Sequence, residues 1–160
     1  MQITLIAAFD NERGIAKDGE IPWDIPEEQE HFYNETFGHP VIMGRNTFEN
    51  IVSKLGGPLT GRLNIVLSKS GTYNLPQTVS ARNIQATLEA AQDSFDDEVF
   101  VAGGESVYEQ FIDMADRMVL TKVDGRYDCD QFFPQFSLDD WELQAQSVRN
   151  NFTILEYERR

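Results

Sequence analysis

Cysteine is almost missing from this chain. Cys129 stands alone, so no internal disulfide can form, and with only two histidines a conventional zinc site is excluded as well. Cys129 also lies between Asp128 and Asp130, which disfavours its thiolate and argues against a nucleophile. Positive charge is scarce too: 13 Lys and Arg face 27 Asp and Glu, and lysine is confined to Lys17, Lys54, Lys69 and Lys122. No basic cluster could neutralise a phosphate backbone, so a nucleic-acid partner is not expected. No apolar run approaches the ~20 residues of a membrane helix, and the Met1–Phe9 segment lacks the basic start of a signal sequence. The expectation is a reduced, cytoplasmic chain with no membrane or metal partner, and nothing in it demands more than a monomer.

A composition that is 41% hydrophobic and 11% aromatic is that of a globular protein, and 160 residues suit one domain spanning the whole chain, 1–160. The net charge of −14 is spread along the sequence, with no detachable acidic tail. Self-repulsion on this scale destabilises a compact state at low salt and is screened by ions. It reads either as adaptation to a salty, halophilic cytoplasm or as ordinary acidity.

No repeat or linker interrupts an alternation of short apolar runs and helical stripes. Ile3–Phe9 is continuously apolar, as in a strand buried on both faces. Val41–Met43, Leu63–Leu67, Thr78–Ala81, Val99–Ala102 and Met118–Val123 read as further strands, and Trp141–Val148 with Phe152–Glu158 as a hairpin around Arg149-Asn150-Asn151. Four helices are expected. Pro26–Phe37 opens on a capping box, Asp24-Ile25-Pro26-Glu27. The others have apolar stripes at Phe48, Ile51, Val52 and Leu55; at Ile84, Leu88, Ala91 and Phe95; and, within Ser106–Ala115, at Val107, Phe111 and Met114. The pattern is that of an α/β fold with a mostly parallel sheet and an antiparallel strand added by the C-terminal hairpin.

Three stretches ask for more than folding. Asp10–Asp24 is a long loop between the first strand and first helix, a length usually reserved for function. The helix after it carries Glu28 and Phe32 at i and i+4, on one face. If that face lines a pocket, desolvation raises the glutamate toward a useful acid; with Glu27, Glu30 and Glu35 nearby it also reads as a solvated acidic face. Val41–Thr47 runs from strand through Gly44 into a helix, with Arg45 adding charge, and fits either an anion cradle or a tight turn. Val99–Tyr108 repeats the device with Gly103-Gly104, followed by Glu105 and Ser106, but is not a dinucleotide-binding G-x-G-x-x-G. His31 and His39 are expected to have surface roles.

Together these segments resemble dihydrofolate reductase. The likeness is collinear: Ile3–Ala8, Ile21-Pro22-Trp23, Pro40–Arg45, Pro58–Arg62, Asn64–Ser68, Gly103-Gly104-x-x-Val107-Tyr108, Leu120-Thr121, Asp130 with Phe133-Pro134, and Ile154-Leu155-Glu156. The resemblance implies a central sheet of about eight strands flanked by four helices, and NADPH-dependent reduction of 7,8-dihydrofolate to tetrahydrofolate. Glu28 would grip the pterin with Thr121 and a water near Trp23, favouring protonation at N5 as hydride reaches C6. Ile6, Phe32, Ile51 and Leu59 would pack the rings, and Arg62 would hold the α-carboxylate of the glutamate tail. The cofactor would meet Ala8, Ile15, Gly44, Arg45, Asn46, Thr47, Leu67, Ser68, Lys69, Gly103, Gly104, Glu105, Ser106, Val107 and Tyr108. The Gly-Gly peptide would be cis, the Asp10–Asp24 loop a mobile lid, and Asp130 its latch. Departures from the family are Thr60 for proline, Phe48 for tryptophan, Ser106 where some members carry arginine, and a longer loop around Val52–Gly57. A pyrimidine reductase of riboflavin synthesis and a non-catalytic nucleotide-binding module are the rival readings.

The charge carries its own test. The midpoint of thermal unfolding should rise steadily as KCl is raised; a flat or falling series removes the salt-adaptation reading.

Overall fold

A computed structural model describes residues Met1–Arg160. Strands β1 (Gln2–Phe9), β3 (Val41–Gly44), β4 (Asn64–Leu67), β5 (Thr78–Ala81), β6 (Glu98–Val101), β7 (Arg117–Val123), β9 (Trp141–Val148) and β10 (Phe152–Arg159) form one sheet in the order β5-β4-β3-β6-β1-β7-β10-β9. The pairings among the first six strands of that order, β5 to β7, are parallel, and β10 runs antiparallel to both β7 and β9. The expected eight strands and the single antiparallel C-terminal strand are both present.

Both faces of the sheet are covered, which explains the unbroken apolar strands. Along β1, Leu5, Ala7 and Phe9 enter one core and Ile6 the other. Helices α3 (Ile84–Asp93) and α4 (Glu105–Phe111) lie on the first side, burying Ala91, Val107 and Phe111. Helices α1 (Pro26–Thr36) and α2 (Arg45–Leu55) lie on the second, where Phe32, Phe48 and Ile51 meet Met43 and Val66. Complete burial of a phenylalanine such as Phe48 or Phe111 stabilises the fold by roughly 2 to 3 kcal/mol.

Several local expectations are corrected. The capping box does not form: Ile25 is the N-cap of α1 without a side-chain bond, and Asp24 accepts from Gln29 Nε2 instead. Pro26 at the first position needs no acceptor for an N–H it lacks, which lessens the demand for a cap. The third stripe ends early, because α3 stops at Asp93 and Phe95 is 97% exposed at positive φ. Met114 and Leu55 are exposed as well; α4 gives way to a 3-10 turn at Ile112–Met114, whose tighter pitch rotates Met114 off the stripe. The Asp10–Asp24 loop is not wholly irregular. Its segment β2 (Gly14–Ala16) pairs with β8 (Gln131–Phe132) in a second, two-stranded sheet. Three residues and two residues are too short to register as a period-2 pattern.

One charged node ties the layers together. The Arg117 guanidinium on β7 reaches Glu98 on β6 (3.2 Å), Glu35 on α1 (3.1 Å) and Glu156 on β10, and Thr4 on β1 donates to the same Glu98. Because Arg117 is only 20% exposed, removing it leaves three carboxylates crowded with no counter-charge. Arg117→Ala should cost about 2 to 3 kcal/mol in denaturant unfolding, below the range for fully buried pairs; a loss under ~0.5 kcal/mol would show the node to be an ordinary surface network.

Candidate active site

The parallel strands all end on the same edge, and a cavity of about 1060 Å³ opens there. Ile6, Ala7 and Ala8 from β1, Gly44 from the end of β3, Ala102–Gly104 after β6 and Thr121 on β7 line it. Two strand-to-helix junctions, remote in sequence, are stitched side by side by the Gly44 N–H, which donates to the Gly103 carbonyl at 2.8 Å. A methyl group on Gly44 would sit 3.1 Å from Val107 Cγ2, leaving a side chain little room, and Gly103 has φ +114°, a conformation that favours glycine. The Gly103–Gly104 peptide is cis. Gly44 caps α2 with backbone alone, so the N–H groups of that eleven-residue helix's first turn meet no capping side chain, and Arg45, Asn46 and Thr47 stand around them. This cradle suits the phosphates of a dinucleotide.

Glu28 faces the cavity from the first turn of α1 and is 8% exposed. Burial pushes its carboxyl up to about 7, and the neighbouring Trp23 indole offsets only part of that rise. Trp23 itself is buried, its indole N–H near enough to Glu28 to favour the charged carboxylate but outside hydrogen-bonding geometry with any protein acceptor. Thr121 is buried on β7, paired in register with Ala8 and Ile154. Phe32 and Ile51, from α1 and α2, complete the apolar walls. The solvated-face reading of Glu28 is therefore excluded. Around it the lining carries Asp18, Glu20, Glu49 and Glu105 against Arg45 and Lys54, and Glu49 holds Arg45 Nε at 3.1 Å.

Arg62 lies in a separate cavity of about 570 Å³, with Leu59. It is 7% exposed and held rigidly: Nε donates to Thr60 O at 2.7 Å, and one terminal nitrogen to Thr36 Oγ1 at 2.8 Å and Tyr33 O at 3.3 Å. The turn that presents it is pinned by Asn64, whose side chain bonds Leu59 N, Leu59 O and Arg62 O.

The Asp10–Asp24 loop has two fastenings. Asp10, buried at the end of β1, accepts from Glu12 N and Gly14 N on one oxygen, and from Tyr127 N and Cys129 Sγ on the other. Burial opposes its charge, yet these donors outweigh it and hold the carboxyl below its ordinary value. Asp130 accepts from Asp18 N at 3.0 Å, joining the outer part of the loop to the β7–β8 connection. Cys129 is pushed up to about 11 by burial and by Asp10, in keeping with an inert thiol.

Of the other expected residues, Ile15, Glu105, Ser106, Val107 and Tyr108 line the large cavity; Tyr108 donates its hydroxyl to Ile6 O at 2.7 Å. Leu67, Ser68 and Lys69 line neither cavity, and the Ser68 hydroxyl accepts from Gly71 N in a local turn. His39 pairs with Asp96 near the surface, but His31 is half-buried and lines the large cavity, with Nε2 buried and unpartnered. The reading missed Tyr33, Glu49, Asn50 and Leu55. Leu55 has a visible signal, since it continues the α2 stripe after Ile51, but a stripe alone does not separate core from cavity wall.

Comparison with known proteins agrees with this geometry. A family model described as dihydrofolate reductase matches residues 2–159. Dihydrofolate reductase HdrB of Haloferax volcanii is 36% identical over 165 residues, covering 100% of this chain and 84% of that protein. Dihydrofolate reductase of Staphylococcus haemolyticus is 35% identical over 142 residues, covering 89% and 82%. Among solved structures, a dihydrofolate reductase from Enterococcus faecalis complexed with NADP(H) superposes with a TM-score of 0.85 at 25% identity, over 99% of this chain and 96% of that one. With a family match across nearly its whole length, the chain belongs to the dihydrofolate reductase family.

Proposed function

We infer that this protein reduces 7,8-dihydrofolate to 5,6,7,8-tetrahydrofolate with NADPH. The observation that carries the reading is the Glu28 carboxyl, buried in the wall of the large cavity and facing the strand ends that lead into the α2 cradle. NADPH, when bound, supplies the hydride that adds to pterin C6. Everything else is work for the chain itself. Gly44, Arg45, Asn46 and Thr47 hold phosphates with first-turn N–H groups and charge, and Gly103 and Gly104 let the nicotinamide half approach the backbone. Ala8, Ile15, Val107 and Tyr108 shape that side of the cleft, while Ile6, Phe32 and Ile51 pack the pterin and aminobenzoyl rings.

Glu28 accepts two charge-assisted hydrogen bonds from the pterin 2-amino group and N3, with Thr121 beside it and the Trp23 indole available to a water. A carboxyl with a pKa of about 7 is half-protonated at working pH, which favours the proton's arrival at N5. Arg62 and Leu59 take the glutamate end of the substrate. Leu67, Ser68 and Lys69 are left for the outer, adenosine end of NADPH, beyond the cavity walls. The lid, fastened by Asp10 and Asp130, excludes water during transfer. The same reading has a single-domain monomer acting on small molecules in the cytoplasm, and a net charge of −14 supports the absence of nucleic acid.

The direct test mixes purified protein with NADPH and dihydrofolate in concentrated KCl and follows the cofactor absorbance; no turnover at any salt concentration defeats the reading. Glu28→Gln should lower kcat at neutral pH by roughly 10² to 10⁴, with NADPH binding preserved, and parental activity in the variant would strip Glu28 of its role.

The same substitution should stabilise the ligand-free protein. From the ordinary 4.5 up to about 7, the folded state keeps a proton that the unfolded chain has released, so stability falls as pH rises. The loss totals about 3 kcal/mol, and Glu28→Gln escapes it. Urea unfolding should therefore find variant and parent alike near pH 4.5 and the variant ahead by about 3 kcal/mol at pH 8. A difference that ignores pH would mean that Glu28 is not buried as described.

A further inference from the structure

One carboxylate joins the two stretches assigned above to the phosphates and the adenosine end of NADPH: the start of α2 and the segment that follows β4. Glu49 Oε1 accepts from Arg45 Nε at 3.1 Å and from the Tyr73 hydroxyl at 3.2 Å. Tyr73 is half-buried, its ring edge-on to the buried Phe48 at a centroid distance of 4.9 Å. Burial and Glu49 together raise the phenol's pKa, so it stays protonated and donates. Glu49 is thus fixed from both sides, by one bond to each stretch.

The charge at this seam is unusual for a place that receives phosphate. Arg45 gives Nε to the carboxylate, and its terminal nitrogens stay available to a phosphate, but the pair as a whole is neutral. Acids outnumber bases along the cleft, with Asp18, Glu20, Glu28, Glu49 and Glu105 against Arg45 and Lys54. On the segment after β4, from Ser68 to Pro76, Lys69 is the only cation. NADPH differs from NADH by a 2′-phosphate on the adenosine ribose. A fixed carboxylate between the two stretches repels that added charge, and so acts on NADPH more than on NADH.

We propose that Glu49 is a specificity-determining residue for the cofactor: its carboxylate, fixed between Arg45 and Tyr73, holds the preference for NADPH over NADH below what Arg45 and Lys69 would set without it. This rests on the NADPH-dependent reading above and adds to it a residue that weighs against the phosphate. A repelling group aimed at one of two competing ligands is a general means of setting specificity. Both partners of the ion pair are exposed, so the effect is a few-fold and yields to salt. The screening length falls from about 10 Å at 0.1 M to about 3 Å at 1 M. Glu49 acts from beyond the direct contact between cation and phosphate, and salt removes that longer-range repulsion first.

Glu49→Gln keeps an acceptor oxygen for Arg45 and Tyr73 and removes only the charge. Binding of NADPH and of NADH, followed by cofactor fluorescence, is measured for parent and variant across a KCl series that starts at the lowest salt preserving the fold. At that end the variant should bind NADPH about three- to five-fold more tightly than the parent, and NADH less than about two-fold more tightly. The difference should shrink as KCl rises. No gain at any salt, an equal gain for both cofactors, or a gain that ignores salt overturns the assignment. A second measurement needs neither nicotinamide nor turnover: 2′,5′-ADP and 5′-AMP should divide between parent and variant in the same way. Fragments that fail to divide overturn it as well. A parent that never reduces dihydrofolate yet shows the fragment difference defeats the functional reading and leaves Glu49 its role; turnover without the difference does the reverse.

Discussion

Burying the Glu28 carboxyl works against stability at neutral pH, and much of the architecture serves to keep that group where it is. Helix α1 offers no side-chain cap and ends its first turn on the buried acid, with Pro26 setting the entry angle. Trp23 closes the space behind it, edge-on to Tyr127 at a centroid distance of 5.3 Å. The far end of α1 is held by Glu35 on Arg117, a residue that also grips β6 and β10. The helix therefore cannot swing outward to rehydrate the carboxyl without disturbing three sheet strands. A well-packed doubly covered sheet supplies the stability against which such a strained position is maintained.

The cleft in front of Glu28 depends equally on close approach. Gly44 and Gly103 bring two strand ends within a hydrogen bond of each other; a side chain at Gly44 would crowd Val107, and the positive φ of Gly103 favours glycine. Over this opening lies a segment with little core of its own. Its two ends rest on carboxylates, Asp10 at the root and Asp130 farther out, and on five residues of β structure in the small sheet. The two sides of the site are thus built from different interactions: packed side chains in one, polar bonds and a short two-stranded sheet in the other.

How much of this could be read from the chain varied with the range of the interaction. Strand positions followed the apolar runs to within a residue or two, since a strand buried on both faces has to be apolar throughout. The α2 stripe was visible through Phe48, Ile51 and Val52, yet it could not tell a core position from a cavity wall, and Leu55 proved to be wall. Phe95 continued a helical period past the point where its helix stops, because periodicity carries no information about termination. The small sheet escaped notice since its strands hold too few residues to form a pattern. His31 looked like a surface residue because only the assembled cavity wall takes its ring half out of water.

The sequence by itself determined the acidic character, the doubly covered sheet, the glycine-bearing strand ends and the pairing of Glu28 with Phe32 on one helical face. These are local properties, fixed by composition or by spacings of a few residues. Tertiary structure decided what those features do. It joined Gly44 to Gly103, took Glu28 out of water, left Leu67, Ser68 and Lys69 outside both cavities, and brought Tyr73 to Glu49. Desolvation and convergence depend on which distant segments meet. Residue spacing along one segment says nothing of either until the sheet has assembled.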